Sequence, residues 1–368
     1  ALAQLRSKWG GGDVGDVPDH STWQAPMPVP PPPGFERAPA PDIHSCRCTF
    51  NATVKSPVCF GWNQEAAYLP PLDEAICSQS WTLACSAEKY YLEAAAEAAD
   101  GPLFGRFKRD RRYNYVLEHV SAESGMDYLM ITFLRYKDLV EPPRLQRFIA
   151  NDLVGSPVKC FYDPIGMAVS PTTIRYIKVA GDLRKLFGDM SGMRVAEIGA
   201  GYGGQSSVLF DMFAISWYDY YDVPQALRLI KRYAHHSDAL STAQREGRCC
   251  GYQDGTQDLI QASASPAGGS GGPYDLVISQ YALTELTDAT ILGYYTAVLK
   301  TARRGQLLIS CALIGERRKW LMDLVAQDHP DLSYADEYPK TGKQCASGEN
   351  GIEVIWGHGP GNQAPQVK

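Results

Sequence analysis

Residues Met193 to Gln205, MRVAEIGAGYGGQ, restrict the fold of this chain more than any other stretch. The apolar run of Val195, Ala196 and Ile198 reads as a buried strand. It breaks into Gly199, Gly201, Gly203 and Gly204 and continues into the helix-like SSVLFDMF. A strand, a glycine turn and a helix in that order open a nucleotide-sized crevice at a sheet edge, because glycine turns tightly and lets a ligand approach the backbone. Gly199, Gly201 and Gly204 also satisfy G-x-G-x-x-G, so the loop alone does not separate a dinucleotide from other ligands. Glu197, two residues before the first glycine, separates them. A phosphate cradle needs backbone N–H groups and no carboxylate, whereas the amino-acid end of S-adenosylmethionine carries an ammonium and no phosphate. The expected cofactor is S-adenosylmethionine, held by Glu197, Gly199, Gly201, Tyr202, Gly203, Gly204 and Gln205.

Downstream, strands and helices alternate as in a parallel sheet. Strands are expected at 194–198, 217–222, 249–253, 274–279 and 306–312, with a closing strand at 352–356. Helices are expected at 206–213, 225–233, 288–302 and 316–326, and residues 262–272, rich in Gly, Ser and Ala, read as a surface insertion. The fold class is therefore α/β, a mostly parallel Rossmann-like sheet with helices on both faces. Ahead of it, helices are expected at 73–99, 113–119 and 126–139, the last ended by Glu141-Pro142-Pro143. Ser170-Pro171-Thr172 starts another helix, whose Ile174, Ile177, Val179 and Leu183 would face inward. This earlier section reads as a mainly helical cap. The domains expected are a proline-rich stem over 1–45, the cap over 46–165 and the cofactor-binding domain over 166–368.

In such sheets ligands lie at the carboxyl ends of the strands. Asp222, about twenty residues beyond the loop, stands where a carboxylate holds ribose hydroxyls, with Val223 beside it; a helix N-cap before Pro224 accounts for the same residue. Asp254 is an adenine contact or an ordinary Asp-Gly turn. Ser279, Gln280 and Tyr281 follow the fourth strand, and Tyr202 and Tyr281 are candidates to flank a cation or to pack. Methyl transfer to an alcohol needs in-line placement and a base for the departing proton. Glu285 is the first candidate for that base and His119 the second, should the cap fold over the site. Glu285, Asp254 and Glu337 would suit Mg²⁺, which wants oxygen ligands, but no spacing compels a metal.

The 368 residues carry a net charge of −6, which argues against a nucleic-acid groove. No apolar run approaches the ~20 residues that span a bilayer. Five of the ten cysteines, Cys46, Cys48, Cys59, Cys77 and Cys85, fall in one short stretch. His44, Cys46 and Cys48 hint at metal without the second pair a zinc site needs. Disulfides would require an oxidising compartment, and Asn51-Ala52-Thr53 is a glycosylation sequon. Together these favour the secretory lumen over the cytosol. The proline stem, Pro26 to Pro41, favours extended polyproline conformation and cannot bury a core.

Several segments resemble the sugar O-methyltransferases of the class I methyltransferase superfamily. They are LEHVSAESG, NDLVGSP, SPTTIRYIKVAGDL, VAEIGAGYGGQ, the Asp-Val-Pro of YDVPQALRLIKRY, and YDLVISQYALTEL, running from about Leu117 to Trp356. The resemblance implies methyl transfer from S-adenosylmethionine to a sugar hydroxyl of a glycan or glycoconjugate. It also implies that Thr172, Arg175, Tyr176, Gln280, Glu337 and Thr341 border the substrate. Val223 stands where members often have Leu, and Gln280 where they often have Asn. A stem followed by cysteines would suit a Golgi enzyme whose anchor has been removed. The alternatives are a natural-product O-methyltransferase, a nicotinamide oxidoreductase, which predicts an N-terminal loop without Glu197, and a catalytically dead glycan-binding module, which predicts a crippled loop.

Overall fold

The structure is a computed structural model that describes residues 46–51, 56–60, 85–114, 116–255, 273–310, 313, 315–339 and 350–358. The stem, the 262–272 insertion, Thr341 and most of the sequon lie outside the described residues.

The expected sheet is present. Strands β5 (Arg194–Ile198), β6 (Trp217–Asp222), β7 (Gly251–Asp254), β8 (Leu276–Gln280) and β9 (Gly305–Ile309) pair in parallel. β10 (Ser333–Asp336) and β11 (Ile352–Trp356) complete it, with β11 antiparallel to both β9 and β10. The order across the sheet is β10-β11-β9-β8-β5-β6-β7. The order reverses between β5 and β8, so the crevice opens at the carboxyl end of β5, beside the glycine loop. An antiparallel strand wedged between the fifth and sixth strands distinguishes this sheet from the 3-2-1-4-5-6 order of dinucleotide folds. It is the class I methyltransferase arrangement.

Alternate strand residues supply two cores, as the two-residue period demands. Val195, Tyr218, Tyr220 and Ile278 pack on one face, and Ala196, Ile198, Tyr221, Val277 and Trp356 on the other. Helices cover both. α1 (Cys85–Asp100) packs against α6 (Pro224–Ala234), and α2 (Ala122–Arg135) against α4 (Pro171–Phe187). Short α3 (Pro142–Ile149) lies between α2 and α4 in sequence, and α5 (Gly204–Met212) follows the glycine loop. α7 (Asp238–Arg245) packs against α5. Ile174, Ile177, Val179 and Leu183 are all buried, as their spacing in α4 requires.

Four features differ from expectation. Strand β10 was not expected and adds an edge to the main sheet. The helical cap also carries a four-stranded sheet, β1 (Arg47–Asn51), β2 (Ser56–Phe60), β3 (Cys160–Tyr162) and β4 (Met167–Val169), in the order β2-β1-β3-β4. Pro142-Pro143 begins α3 rather than ending a helix, since proline at the first turn has no N–H to lose. Only Arg111–Asn114 is helical in the segment expected to reach His119, and Glu118 has a φ of 50°, which no helix accepts.

Disulfides join Cys46 to Cys160 and Cys48 to Cys59, stapling the β1–β2 hairpin to β3. The sulfurs of Cys46, Cys48 and Cys160 lie within 4.8 Å of one another, but as disulfide sulfurs they are not thiolate ligands. Among the described residues no helix is long and apolar enough to cross a membrane.

Candidate functional site

The glycine loop takes its shape from its own protein contacts. Gly199, Gly201 and Gly203 have φ values of 75°, 64° and 87°, which side-chain-bearing residues avoid. A Cβ on Gly199 would fall 2.1 Å from Ala282 Cβ, and one on Gly201 would fall 2.7 Å from Leu117. The absent side chains therefore admit two neighbours: the turn after β8, and the cap segment Leu117–His119 laid across the loop. Three of the loop's N–H groups are also spoken for. Gly199 N–H donates to Tyr221 O at 2.8 Å, Gly201 N–H to Asp222 Oδ2 at 2.8 Å and Gly203 N–H to Ala200 O at 2.9 Å. A pyrophosphate would need those donors. What the loop offers a ligand is carboxylate.

Glu197 lies beneath the loop, 2% exposed, accepting a hydrogen bond from Tyr218 OH at 2.8 Å. Burial pushes its pKa up to about 8, the tyrosine bond opposes this, and Asp222 adds to it. Asp222 ends β6 and accepts from Gly201 and Val223 N–H groups. Burial nevertheless raises it to about 6. Asp254 pairs in register with Asp222 on β7, so both carboxylates sit at the same strand end. The Ser279 hydroxyl is turned back onto Ile198 O at 3.1 Å.

A knot of buried polar groups explains why separate sequence segments meet here. Asn151 donates to Thr173 Oγ1 and Tyr202 OH and accepts from Tyr233 OH. Ser170 is the N-cap of α4 but its side chain makes no capping bond; Asp152 braces the helix start instead, its oxygens accepting from Ser170 N–H at 2.7 Å and from the Thr173 hydroxyl at 2.6 Å. Lys108 Nζ reaches Asn151 O at 2.7 Å and lies 4.2 Å above the Tyr202 ring. Tyr202 is thus a core residue, wholly buried among Phe107, Tyr176 and Tyr233; the expectation that it flanks a cofactor gives way to packing. Gln205 is also buried, bridging Tyr176 O and Gln280, and Thr172 is buried in the first turn of α4.

Around the loop, several side chains keep solvent access although protein surrounds them, as cleft-lining groups do. Glu285, at the end of α8 (Ala282–Glu285), is raised to about 7 by burial alone and has no hydrogen-bond or ion-pair partner among the described residues. His119 is exposed at its surface, yet burial first and the Arg175 charge second hold it down at about 4, so its ring is neutral. Tyr91, on α1, is raised by burial and then by the charges of Asp222 and Glu285, so both carboxylates act on it. Tyr281, with φ 68°, donates its hydroxyl to Glu337. Arg175 lies with its guanidinium 5.5 Å from the ring centres of both Tyr176 and Tyr281. Glu118 and Tyr281, both at positive φ, thus stand at the cleft, as strained residues often do.

Hydrogen bonds, ring contacts and charge interactions therefore link Glu197, Asp222, Glu285, His119, Gln280, Tyr281, Arg175, Tyr176 and Glu337 in one neighbourhood at the carboxyl ends of β5 and β8. Tyr91 and Tyr128, which line the same region, carried no sequence signal beyond lying in amphipathic helices. Glu285, Asp254 and Glu337 do not form a shared ligand group among the described residues.

No protein-family model matches the chain, and no curated protein does. Solved structures with a similar fold include the magnesium protoporphyrin IX methyltransferase of Synechocystis PCC 6803 with bound SAM, at 16% identity and TM-score 0.33, covering 62% of this chain and 96% of that one. An rRNA methylase from Streptococcus thermophilus matches at 12% identity and TM-score 0.31, covering 48% and 93%. A predicted O-methyltransferase from Agrobacterium tumefaciens matches at 14% and 0.34, covering 49% and 81%. At this level of likeness, chemistry has to be argued from this chain's own site.

Proposed function

We propose that this chain is an S-adenosylmethionine-dependent O-methyltransferase whose acceptor is a sugar hydroxyl. The observation that carries the reading is Glu285, a partnerless carboxyl held near neutrality at the carboxyl end of the sheet's central strand pair. A general base works best with a pKa near the operating pH, and burial alone supplies that here. The loop fits the donor because two buried carboxylates stand beside it. Glu197 and Asp222 would hold its ammonium and ribose. When bound, the donor supplies an electrophilic methyl on a sulfonium. Glu285 takes the acceptor's proton, Tyr91 and Tyr281 present aromatic faces toward positive charge, and the Leu117–His119 segment excludes water from above. The sugar assignment rests on the motif resemblance and on the polar lining of Gln280, Arg175, Tyr281 and Glu337. The stapled hairpin supports maturation in an oxidising lumen, and the division into stem, cap and cofactor domain belongs to the same proposal.

Calorimetric titration with S-adenosylmethionine and with NAD, followed by product analysis with a labelled methyl donor across a glycan panel, tests the reading. Binding of NAD in preference to S-adenosylmethionine would overturn it. So would donor binding with no methylated glycan.

A further inference from the structure

Arg175 is 5% exposed, and its Nε has no hydrogen-bond partner. No ion pair or hydrogen bond involves its guanidinium among the described residues; its contacts are the faces of Tyr176 and Tyr281. The nearby carboxylates are engaged with hydroxyls, Glu118 with Ser170 at 3.4 Å and Glu337 with Tyr281. A buried guanidinium with no anion hydrogen-bonded to it is costly, because its five donors match a planar oxyanion and little else. The Tyr128 hydroxyl and Gln280 Oε1, in the same region, are buried without partners as well. Such a set of unsatisfied groups points to a missing ligand.

The position selects which ligand. Arg175 sits against Tyr281, Tyr128 and His119, on the substrate side of the loop, while Asp222 and Asp254 mark the adenosine side at β6 and β7. Glu118 acts on it directly and Glu337 stands behind Tyr281, which penalises a doubly charged phosphate more than a singly charged carboxylate. Resting on the methyl-transfer reading, we propose that Arg175 receives a carboxylate carried by the acceptor, making the acceptor an acidic sugar of the uronate class.

The test is calorimetric binding to the full chain, wild type, R175Q and R175K, with S-adenosylmethionine titrated in parallel. The probes are glucuronate- and galacturonate-terminated oligosaccharides, their carboxyl-reduced counterparts, and sulfated and phosphorylated versions of the same sugars. Wild type is expected to bind the uronates about 30-fold more tightly than the reduced sugars, as a charged hydrogen bond implies. R175Q is expected to lose that preference, and R175K to keep part of it, since lysine retains charge without the fork. Equal binding of acid and reduced sugars by wild type overturns the proposal. So does a preference that survives in R175Q, or stronger binding of the sulfated or phosphorylated sugars. Weakened donor binding in R175Q with uronate preference unchanged would assign the arginine to the donor's own carboxylate and overturn it too. Should R175Q fail to fold, wild type and R175K decide. Loss of donor binding in wild type with uronate preference intact would sink methyl transfer and leave the Arg175 assignment standing.

Discussion

Replacing Glu285 by glutamine is expected to make the protein more stable and much less active. A free glutamate titrates near 4.5, and burial holds Glu285 at about 7 in the fold. At ~1.4 kcal/mol per tenfold change in the ionisation constant, ionising it in place costs roughly 3 kcal/mol. We halve that figure because the side chain keeps partial solvent access. The sign follows from proton counting. Between pH 4.5 and 7 the folded state holds a proton that the unfolded state has released, so stability falls as pH rises through this window and stays low above it. Glutamine has no such proton. Glu285→Gln should therefore match wild type at pH 4.5 and exceed it by roughly 1.5 kcal/mol at pH 8, a rise in Tm of about 2 °C for a chain of this length. Paired urea melts at both pH values read this difference, and the other raised carboxyls, Glu197 and Asp222, cancel in the comparison. In the same preparations kcat should fall about 10²–10⁴-fold. Wild-type kcat at saturating donor should climb tenfold from pH 5 to 6 and level off above 7. A variant that is less stable than wild type at pH 8, or one that keeps its activity and its pH profile, would refute the assignment of Glu285 as a desolvated base.

Glu197, raised to about 8, should release close to one proton at pH 7 when a ligand ammonium binds beside it; the binding enthalpy should then vary with buffer ionisation heat, and Glu197→Gln should abolish that variation. Gly199→Ala brings a Cβ to within 2.1 Å of Ala282 at a φ of 75°, and should destabilise the fold by about 2–4 kcal/mol in denaturant melts. Reducing the Cys46–Cys160 bridge, which spans 114 residues, should cost up to about 5 kcal/mol on the chain-entropy account, seen as a lower Tm in dithiothreitol; an unchanged Tm would deny the bridge any role.

Strands β5, β6, β8, β9 and β11 were legible because they are buried on both faces and bounded by turn residues, whereas β10, with alternate residues exposed, gave no such signal and was not expected. Strands 217–222 and 352–356 match residue for residue, and α5 begins two residues earlier than expected. The cap was harder. Its strands are three to five residues long, too short for alternation to emerge, and one bridge, Cys46–Cys160, ties the start of β1 to β3 across 114 residues. Tyr113–His119 looked helical by spacing, but Glu118 takes a left-handed conformation that tertiary contacts impose. In the site, residues next to the loop or at strand ends could be placed by topology alone. Tyr91 could not, because a tyrosine in a helix that also buries Ala94 and Ala98 looks like core until α1 is seen against α6. For Tyr202 the sequence left open flanking a cation or packing, and its rotamer sends it to Lys108 and Asn151.

The bridge from β1 to Cys160 lies only a few residues upstream of β4, which feeds directly into the helix bearing Arg175. Oxidative maturation therefore shapes one wall of the opening and not the other. A molecule made under reducing conditions would keep its glycine bend intact while the facing wall slackened, and would recognise the donor far better than the acceptor.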